Sequence, residues 1–222
     1  MGMDYMERFH LIQHPLLEHK LFQLRNKYTG TKDFRKCVEE MTSLLCYEAT
    51  RDIPMGERPV ETPFGEIKAR EIEGKTLAAV VILRAGLGML DGVLSLVPSA
   101  KVGHIGIYKD EKTGELVRYY CKMPQDIVHR QVLLLEPILA TGETTDMAVQ
   151  MLENYRCYQV KLLCLVAVQQ GVDFLLKRHP GLEIYCAAMD SRINEEGYII
   201  PGIGDAGDRM FGTMYILTCE KS

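Results

Sequence analysis

The residues best suited to chemistry follow an apolar run in the second half of the chain, where residues 132–145 read VLLLEPILATGETT. The run ends at the acid Glu136, and a short loop then leads into residues typical of a helix start. The first N–H groups of a helix have no internal hydrogen-bond partners, and the helix dipole adds roughly half a positive charge there. The hydroxyl groups of Thr141, Thr144 and Thr145 can donate further hydrogen bonds. The segment therefore has the chemistry of a phosphate cradle.

The acid in this segment suggests a second role. We expect the Glu136 carboxylate at the end of a strand, where it can bind hydroxyl groups or a metal-bound water, not the phosphate itself. The GxxxxGKS or GxxxxGKT spacing of the P-loop is absent, which excludes that type of nucleotide site. An ordinary capped helix after a strand explains the same residues equally well. The residues alone leave both interpretations open.

Arg84 is a second candidate, because it follows the apolar run 77–83 and precedes Gly86 and Gly88. Its planar, permanently charged guanidinium group can donate paired hydrogen bonds to pyrophosphate oxygens. The alternative is a structural ion pair. We favour the binding role because the two glycines open the backbone beside Arg84.

A third candidate is the glycine-rich segment 202–207, which reads GIGDAG. It has too few side chains to pack, so its backbone groups become a recognition surface. A plain surface turn does not explain the two acids spaced three apart, Asp205 and Asp208. Tyr198, slightly upstream, is placed to cover a bound base, although a lone aromatic residue is more often part of a core.

The elements that must position these residues alternate along the chain. Four short apolar runs predict strands that are buried on both faces, as in a parallel sheet: residues 77–83, 132–135, 160–168 and 182–188. Segments with helical spacing lie between them: residues 89–97, 147–155 and 174–178. The alternation predicts an α/β fold with right-handed crossovers and a ligand site at the carboxyl ends of the strands.

Two other regions show different patterns. Apolar residues at helical spacing in residues 34–50, with Phe34, Val38 and Tyr47 among them, predict a helix that covers the sheet. Residues 103–123 look like a strand, a turn at residues 112–114 and a returning strand, which predicts a hairpin arm projecting from the domain.

Composition excludes several classes of protein. The chain has 222 residues, 47% of them hydrophobic and 25% charged, which is typical of a globular protein and sufficient for one domain spanning residues 1–222. A net charge of −4 argues against nucleic acid or membrane as partner. The seven cysteines are scattered without a C-x-x-C pair, which favours free thiols in a reducing, cytoplasmic compartment.

The candidate segments together resemble one known family. Residues 136–144 resemble the phosphoribosyl-pyrophosphate (PRPP) loop of the type I phosphoribosyltransferases, in the form typical of the uracil phosphoribosyltransferases. Residues 82–89 resemble the first PRPP-contacting turn of that family, and residues 196–209 resemble its uracil-binding loop. Shorter motifs also match, at residues 14–16, 31–35, 47–50 and 211–213. The likeness covers nearly the whole chain.

The resemblance implies a fold and a set of site residues. The fold is a mostly parallel sheet flanked by helices, with a projecting β-hairpin arm at about residues 103–123 and a hood built from both termini. The implied catalytic residues are Arg84 and Asp205. The implied PRPP-binding residues are Arg84, Lys109, Glu136, Pro137, Ile138, Leu139, Ala140, Thr141, Gly142, Glu143, Thr144 and Asp205. The uracil-binding loop spans about residues 198–209, and its implied contacts are Ile199, Gly204, Asp205 and Ala206.

The resemblance also implies the chemistry and the partners. Uracil and PRPP would give UMP and pyrophosphate, with Mg²⁺ held by PRPP and with Asp205 as a candidate ligand. Members of this family are cytoplasmic homodimers or higher homo-oligomers, and because some respond to GTP, GTP is a candidate activator.

This chain departs from the family pattern near the PRPP site. Glu136 stands where Asp is usual, Glu143 where Gly is usual and Lys109 where Arg is usual, and residues 167–171 also differ. The alternative function is therefore a regulatory homologue that binds PRPP or nucleotides with weakened catalysis. A purine phosphoribosyltransferase would require a different base loop. We expect the Glu143 side chain to point outward, which leaves the cradle intact.

Overall fold

The computed structural model describes residues 6–73, 77–110 and 112–213. Its strands are β1 (Phe9–Leu11), β2 (Met55–Thr62), β3 (Gly65–Ile72), β4 (Leu77–Leu83), β5 (Lys101–Lys109), β6 (Leu116–Lys122), β7 (Gln131–Leu135), β8 (Ile138–Leu139), β9 (Val160–Val168), β10 (Leu182–Asp190), β11 (Arg192–Ile193) and β12 (Ile199–Ile200). Its α-helices are α1 (Pro15–Arg25), α2 (Thr31–Ala49), α3 (Leu87–Leu96), α4 (Glu143–Asn154), α5 (Gln169–Arg178) and α6 (Ala206–Phe211). Short 3₁₀ turns cover Met6–Arg8 and Ile127–His129.

The main sheet has the strand order β1-β10-β9-β7-β4-β5-β6, and β8 pairs with β9. All neighbouring pairs are parallel except β5 and β6, which are antiparallel. From the central pair β4 and β7, the sheet continues through β9 and β10 on the β7 side and through β5 and β6 on the β4 side. The topology therefore switches direction between β4 and β7, which is where ligands bind in such sheets.

The four apolar runs are strands of this sheet, as predicted. All nine residues of β9 are buried, because helices cover both faces. Helices α2 and α3 pack on one face, with Phe34 and Met89 in that core, and α4 and α5 pack on the other, with Leu152 and Leu175. The prediction of an α/β fold with a mostly parallel sheet is confirmed.

The predicted N-terminal helix also forms, as α2. Phe34 and Val38 are completely buried, but Tyr47 is 61% exposed, so its inclusion in the apolar stripe was wrong. Helix α1 was not predicted, because its apolar residues do not follow a clear helical stripe; Leu17 and Leu24 are its buried residues. Helices α1 and α2 correspond to the N-terminal part of the predicted hood, whereas the predicted C-terminal part cannot be compared beyond residue 213, because residues 214–222 lie outside the described residues.

The predicted hairpin at residues 103–123 differs from expectation in one respect. Its strands and turn are present, and the Asp110 carboxylate accepts hydrogen bonds from the N–H groups of Lys112 and Thr113. However, β5 and β6 belong to the main sheet and do not project as an arm. The separate hairpin is β2–β3, which the sequence did not reveal because its strands are largely polar and exposed. Glu111 lies outside the described residues.

In the described parts of the chain, no helix has the length and apolar character needed to cross a membrane.

Candidate active site

The candidate site lies at the carboxyl ends of β4 and β7, on both sides of the topological switch. A cavity of about 220 Å³ opens there. Its walls come from the β4–α3 turn, the β7–β8 loop and the glycine-rich segment, with Ala85, Glu136, Tyr198, Gly204 and Asp205 among the lining residues. The topology thus brings together three segments that are far apart in the chain, since Ala85 and Asp205 are separated by about 120 positions. Because pockets for drug-sized ligands measure roughly 300–1,000 Å³, this cavity suits a single-ring molecule.

The start of α4 has the geometry of an anion cradle. Gly142 precedes the helix with a φ of 85°, a left-handed conformation that glycine adopts without strain, and it offers no capping side chain. As at any helix start, the first N–H groups of α4 have no intrahelical acceptors, and they point toward the loop. Thr141 and Thr144 are half-buried beside them, whereas Thr145 is 2% exposed, which places its hydroxyl group outside the reach of a ligand.

The rest of the predicted PRPP loop supports this cradle from below. Pro137 and Leu139 are buried, and Ile138 and Leu139 form β8, which pairs with β9. The Pro137 carbonyl group accepts hydrogen bonds from the N–H groups of Leu165 and Val166. These contacts anchor the loop to the sheet, and Pro137 and Ile138 also form part of the cavity wall.

Arg84 lies at the rim of the cavity with its side chain 58% exposed. Its Nη2 atom is 3.3 Å from Asp208 Oδ1, and Asp208 also accepts a hydrogen bond of 2.5 Å from the Thr213 hydroxyl group. The Leu83–Arg84 peptide bond is cis. The guanidinium group thus forms the ion pair that was the alternative interpretation of the sequence. It also remains accessible to an anionic ligand, which the binding interpretation requires.

The glycine-rich segment places a carboxylate at the cavity. Asp205 is the N-cap of α6, and its side chain accepts a hydrogen bond of 2.8 Å from the Asp208 N–H group. Asp205 and Gly204 are exposed, whereas Ile199 and Ala206 are buried in the walls. Tyr198 is 45% exposed beside them, so it belongs to the cavity and not to the core. All four residues predicted to contact uracil therefore line one cavity.

Glu136 and Asp205 face the same small space, and the charge of Asp205 affects the ionisation of Glu136. Burial is the larger cause and the Asp205 charge the smaller one; together they raise the pKa of Glu136 to about 8. A carboxyl group in such surroundings holds its proton at neutral pH until a cation or a hydrogen-bond donor arrives. The carboxyl pair therefore favours a ligand that brings positive charge or hydroxyl groups.

The two departures from the family pattern at Lys109 and Glu143 lie beside each other. Lys109 ends β5 and Glu143 begins α4, and their charged atoms Nζ and Oε2 are 3.8 Å apart. Both side chains are more than half exposed, so solvent screens the pair. Glu143 thus points outward, as predicted, but toward a lysine and not into open solvent.

Sequence reasoning missed one buried polar cluster that supports the cradle. The His179 ring lies between two carboxylates, with Nδ1 2.9 Å from Glu153 Oε1 and Nε2 2.8 Å from Asp146 Oδ1. These contacts connect the first turn of α4 to the end of α5. The residues are 26 and 33 positions apart, so no local spacing in the sequence could have revealed them.

The fold and the site define a class of protein. The sheet is mostly parallel, with an anion cradle after one central strand and an arginine after the neighbouring strand. A glycine-rich loop lies over the same edge. This arrangement is that of a type I phosphoribosyltransferase.

Comparisons with known proteins identify the family. The uracil phosphoribosyltransferase family profile matches residues 11–213. A uracil phosphoribosyltransferase of Clostridium beijerinckii is 53% identical over 202 residues, which cover 91% of this chain and 97% of that protein. Another, from Levilactobacillus brevis, is 49% identical over 208 residues, covering 94% of this chain and 100% of that protein. A solved structure of an Aquifex aeolicus protein is 35% identical, covers 93% of this chain and 99% of its own, and superposes with a TM-score of 0.88. The chain belongs to the uracil phosphoribosyltransferase family.

The raised pKa of Glu136 predicts a pH-dependent stability. Between the ordinary pKa of 4.5 and about 8, the folded state holds a proton that the unfolded state has lost, so stability falls as pH rises through this window. We expect Glu136→Gln, which mimics the protonated acid, to be more stable than the parent by about 1 kcal/mol or more near pH 9, because one pKa unit is worth about 1.4 kcal/mol. Near pH 5 the difference should be small.

Urea denaturation at both pH values measures this effect. Glu48→Gln is the matched control, because the hydrogen bond from Arg51 lowers the pKa of Glu48 and its removal should not stabilise the protein at high pH. A Glu136→Gln protein whose stability follows the parent at both pH values would contradict the shifted pKa.

The Lys109–Glu143 pair predicts a modest effect of Glu143 on PRPP affinity. Glu143→Gln removes a negative charge beside the cradle and frees Lys109 to interact with an anion, so PRPP should bind more tightly. Because exposed pairs contribute roughly 0–1 kcal/mol, we expect a gain of less than about tenfold that shrinks at high salt. Calorimetric titration with PRPP and Mg²⁺ at low and high salt measures it.

Glu48→Gln again serves as the control, because it removes a partly exposed, paired carboxylate on α2, away from the cavity. A gain above about a hundredfold in Glu143→Gln would mean that the native loop repels PRPP, and the regulatory alternative would then lead.

Proposed function

We propose that this protein transfers the 5-phosphoribosyl group of PRPP to N1 of uracil, giving UMP and pyrophosphate, with pyrimidine salvage as its role. The observation that carries the proposal is the cavity of about 220 Å³ whose walls come from both the base loop and the first residues of the predicted PRPP loop, Glu136, Pro137 and Ile138, at one sheet edge. Its backbone-lined wall suits a planar single ring, and the adjoining α4 start suits a phosphate. Family membership supports the same reaction.

The chain's own residues would act mainly by positioning and by charge. The N–H groups at the start of α4, with Thr141 and Thr144, would hold the 5′-phosphate. Arg84 and Lys109 would neutralise the leaving pyrophosphate, and Arg84 would exchange its Asp208 partner for the ligand. Bond making at uracil N1 and bond breaking at the pyrophosphate oxygen occur on opposite faces of C1′. Holding the two substrates in line and stabilising the departing charge supply most of the acceleration.

The carboxyl groups at the cavity would suit Mg²⁺ that is bound mainly by the phosphates of PRPP. Among the described residues, no cluster of three or more metal-binding side chains exists. Mg²⁺, however, usually binds one or two carboxylates together with substrate phosphates and waters. Asp205 is exposed at the cavity, and the pKa of Glu136 is raised first by burial and second by the Asp205 charge, so a bound cation would favour the ionised form of Glu136. Bound Mg²⁺ would supply charge neutralisation at the pyrophosphate.

The proposal extends to assembly, regulation and location. The β2–β3 hairpin carries exposed apolar residues, among them Phe64 and Ile67, which favours a homodimer or higher homo-oligomer. The described cysteines are free and mostly buried, which favours a reducing cytoplasmic location. GTP activation stays a prediction from the resemblance, and adding GTP to the assay below tests it.

The reaction predicts strong selectivity for uracil over cytosine. Uracil presents acceptor, donor and acceptor at O2, N3 and O4, whereas cytosine reverses the last two, and backbone groups cannot rotate to suit both. A mismatched base leaves buried polar groups unpaired, so we expect kcat/KM for cytosine to be lower by about 10⁴-fold. The measurement is UMP formation from PRPP and Mg²⁺ over a panel of nucleobases. Comparable use of cytosine would contradict backbone readout, and nucleotide binding without turnover would support the regulatory alternative.

Asp205 should contribute through its charge, and the structure shows which variant tests this. Asp205→Ala would also remove the N-cap of α6, at a cost of about 0.5–2 kcal/mol, whereas Asp205→Asn can keep that hydrogen bond. We expect Asp205→Asn to lower kcat/KM by roughly 10²–10³-fold with near-normal stability. UMP assays and urea denaturation of both variants separate the two roles. Near-parental turnover in Asp205→Asn would remove Asp205 from the catalytic residues.

A further inference from the structure

A pair of residues that does not line the cavity forms hydrogen bonds with the base loop. Arg25 is the last residue of α1 and Asp190 is the last residue of β10. We propose that these two side chains form a positioning clamp on the uracil-binding loop, and that this clamp determines the affinity and selectivity for the base. The inference rests on the proposed function, because it names what sets the specificity of that site.

The clamp is a closed ring of hydrogen bonds around one residue, Gly202. Arg25 donates to both oxygens of Asp190, with Nη1–Oδ2 at 2.9 Å and Nη2–Oδ1 at 2.6 Å. Arg25 Nη1 also donates to the Gly202 carbonyl oxygen at 2.9 Å, and the Gly202 N–H group donates to Asp190 Oδ2 at 2.8 Å. Both backbone polar groups of Gly202 are therefore held by the same ion pair.

Gly202 is the point where such a clamp has most effect. Its φ is +61°, and a Cβ atom there would lie 2.1 Å from the Ile199 carbonyl oxygen, so the chain folds tightly back on itself at this residue. Ile199 lies on one side of the fold, and Ile203 and Gly204 lie on the other; all three line the cavity. A shift of Gly202 would therefore move both sides of the surface that reads the base.

The burial of the pair indicates a geometric role more than a stabilising one. The Asp190 side chain is 4% exposed and the Arg25 side chain is 27% exposed. The free-energy cost of removing two charges from water offsets much of their mutual attraction. A buried ion pair therefore need not stabilise the folded state. The bidentate arrangement, in contrast, fixes direction as well as distance.

A second arginine attaches the far end of the loop to the same helix. Arg209 Nη1 donates to the carbonyl groups of Leu24 and Ile203, the latter at 2.8 Å, and Nη2 donates to the Asn26 carbonyl group at 2.7 Å. Its guanidinium group also stacks over the Phe34 ring, 4.2 Å from the centroid. The end of α1 is thus the fixed point against which the loop is held.

Kinetics of clamp variants test the inference. Arg25→Lys keeps the charge but loses the planar fork, and Asp190→Asn keeps the shape but loses the charge. We expect both to raise the KM for uracil by about tenfold or more and to reduce the discrimination between uracil and cytosine by a similar factor, about 1.4 kcal/mol. The KM for PRPP should change by a smaller factor, since the α4 cradle does not contact the clamp and Asp205, the PRPP-binding residue in the loop, is also held as the N-cap of α6.

The matched control is Arg51→Lys, because Arg51 forms a bidentate pair with Glu48, at 2.5 and 2.9 Å, on an exposed helix end. It should leave every kinetic constant unchanged. A merely structural role for Arg25 and Asp190 would lower the melting temperature and change kcat and both KM values together. That outcome, or an unchanged KM for uracil and unchanged discrimination in a folded variant, would overturn the clamp.

Amide hydrogen exchange provides a readout that does not depend on turnover. In Asp190→Asn, peptides covering residues 199–205 should exchange at least about tenfold faster than in the parent, with peptides of the β-sheet core unchanged. If the parent forms no UMP, the proposed function fails, and the clamp is then judged by exchange alone. Parental exchange rates in residues 199–205 of Asp190→Asn would overturn it.

Discussion

The site depends on one geometric constraint, which is that parallel strands covered on both faces bring their carboxyl ends to a single edge. Strand β9 has no residue that reaches solvent, and its neighbours are nearly as buried, so the polar groups that can meet a ligand are those that follow the ends of the strands. Arg84 and Glu136 are the first polar side chains after β4 and β7. The switch in strand order between these two strands then leaves room for a ligand at that point.

At this edge the distribution of charge, more than any single residue, sets the chemistry. The start of α4 supplies partial positive charge, Arg84 and Lys109 supply full charges, and Glu136 and Asp205 supply the opposing carboxyl groups. The Glu143 carboxylate lies beside Lys109 at the exposed rim of this edge, with the charged atoms 3.8 Å apart. The site can therefore bind anions at one end and a neutral base with a cation at the other.

The base loop shows how a segment of small residues can be specific. Glycine and alanine contribute no packing of their own, so the rigidity must be imposed from outside. The end of α1 imposes it through Arg25 and Asp190, and Arg209 attaches the loop to the same helix. Specificity for the base then depends on residues that do not line the cavity.

Local pattern was enough to predict most of the architecture and the segments that line the candidate cavity. Buried strands, helical periods and turn residues are short-range signals, so β4, β7, β9, β10 and the helices after them could be located from the sequence, and motif resemblance identified the cradle and the base loop. The sequence could not show that residues 103–123 join the main sheet, since pairing partners are set by tertiary contacts. It also could not show the hairpin β2–β3, whose exposed strands lack an apolar period.

Side-chain partnerships were decided by the tertiary structure alone. Arg25 and Asp190 are 165 residues apart, and the charges of Lys109 and Glu143 meet only because β5 and α4 end at the same edge. The pKa of Glu136 likewise follows from burial and from the position of Asp205, neither of which the sequence encodes locally. Sequence determines which groups exist and the elements that carry them, whereas distance, burial and mutual charge arise only when those elements pack.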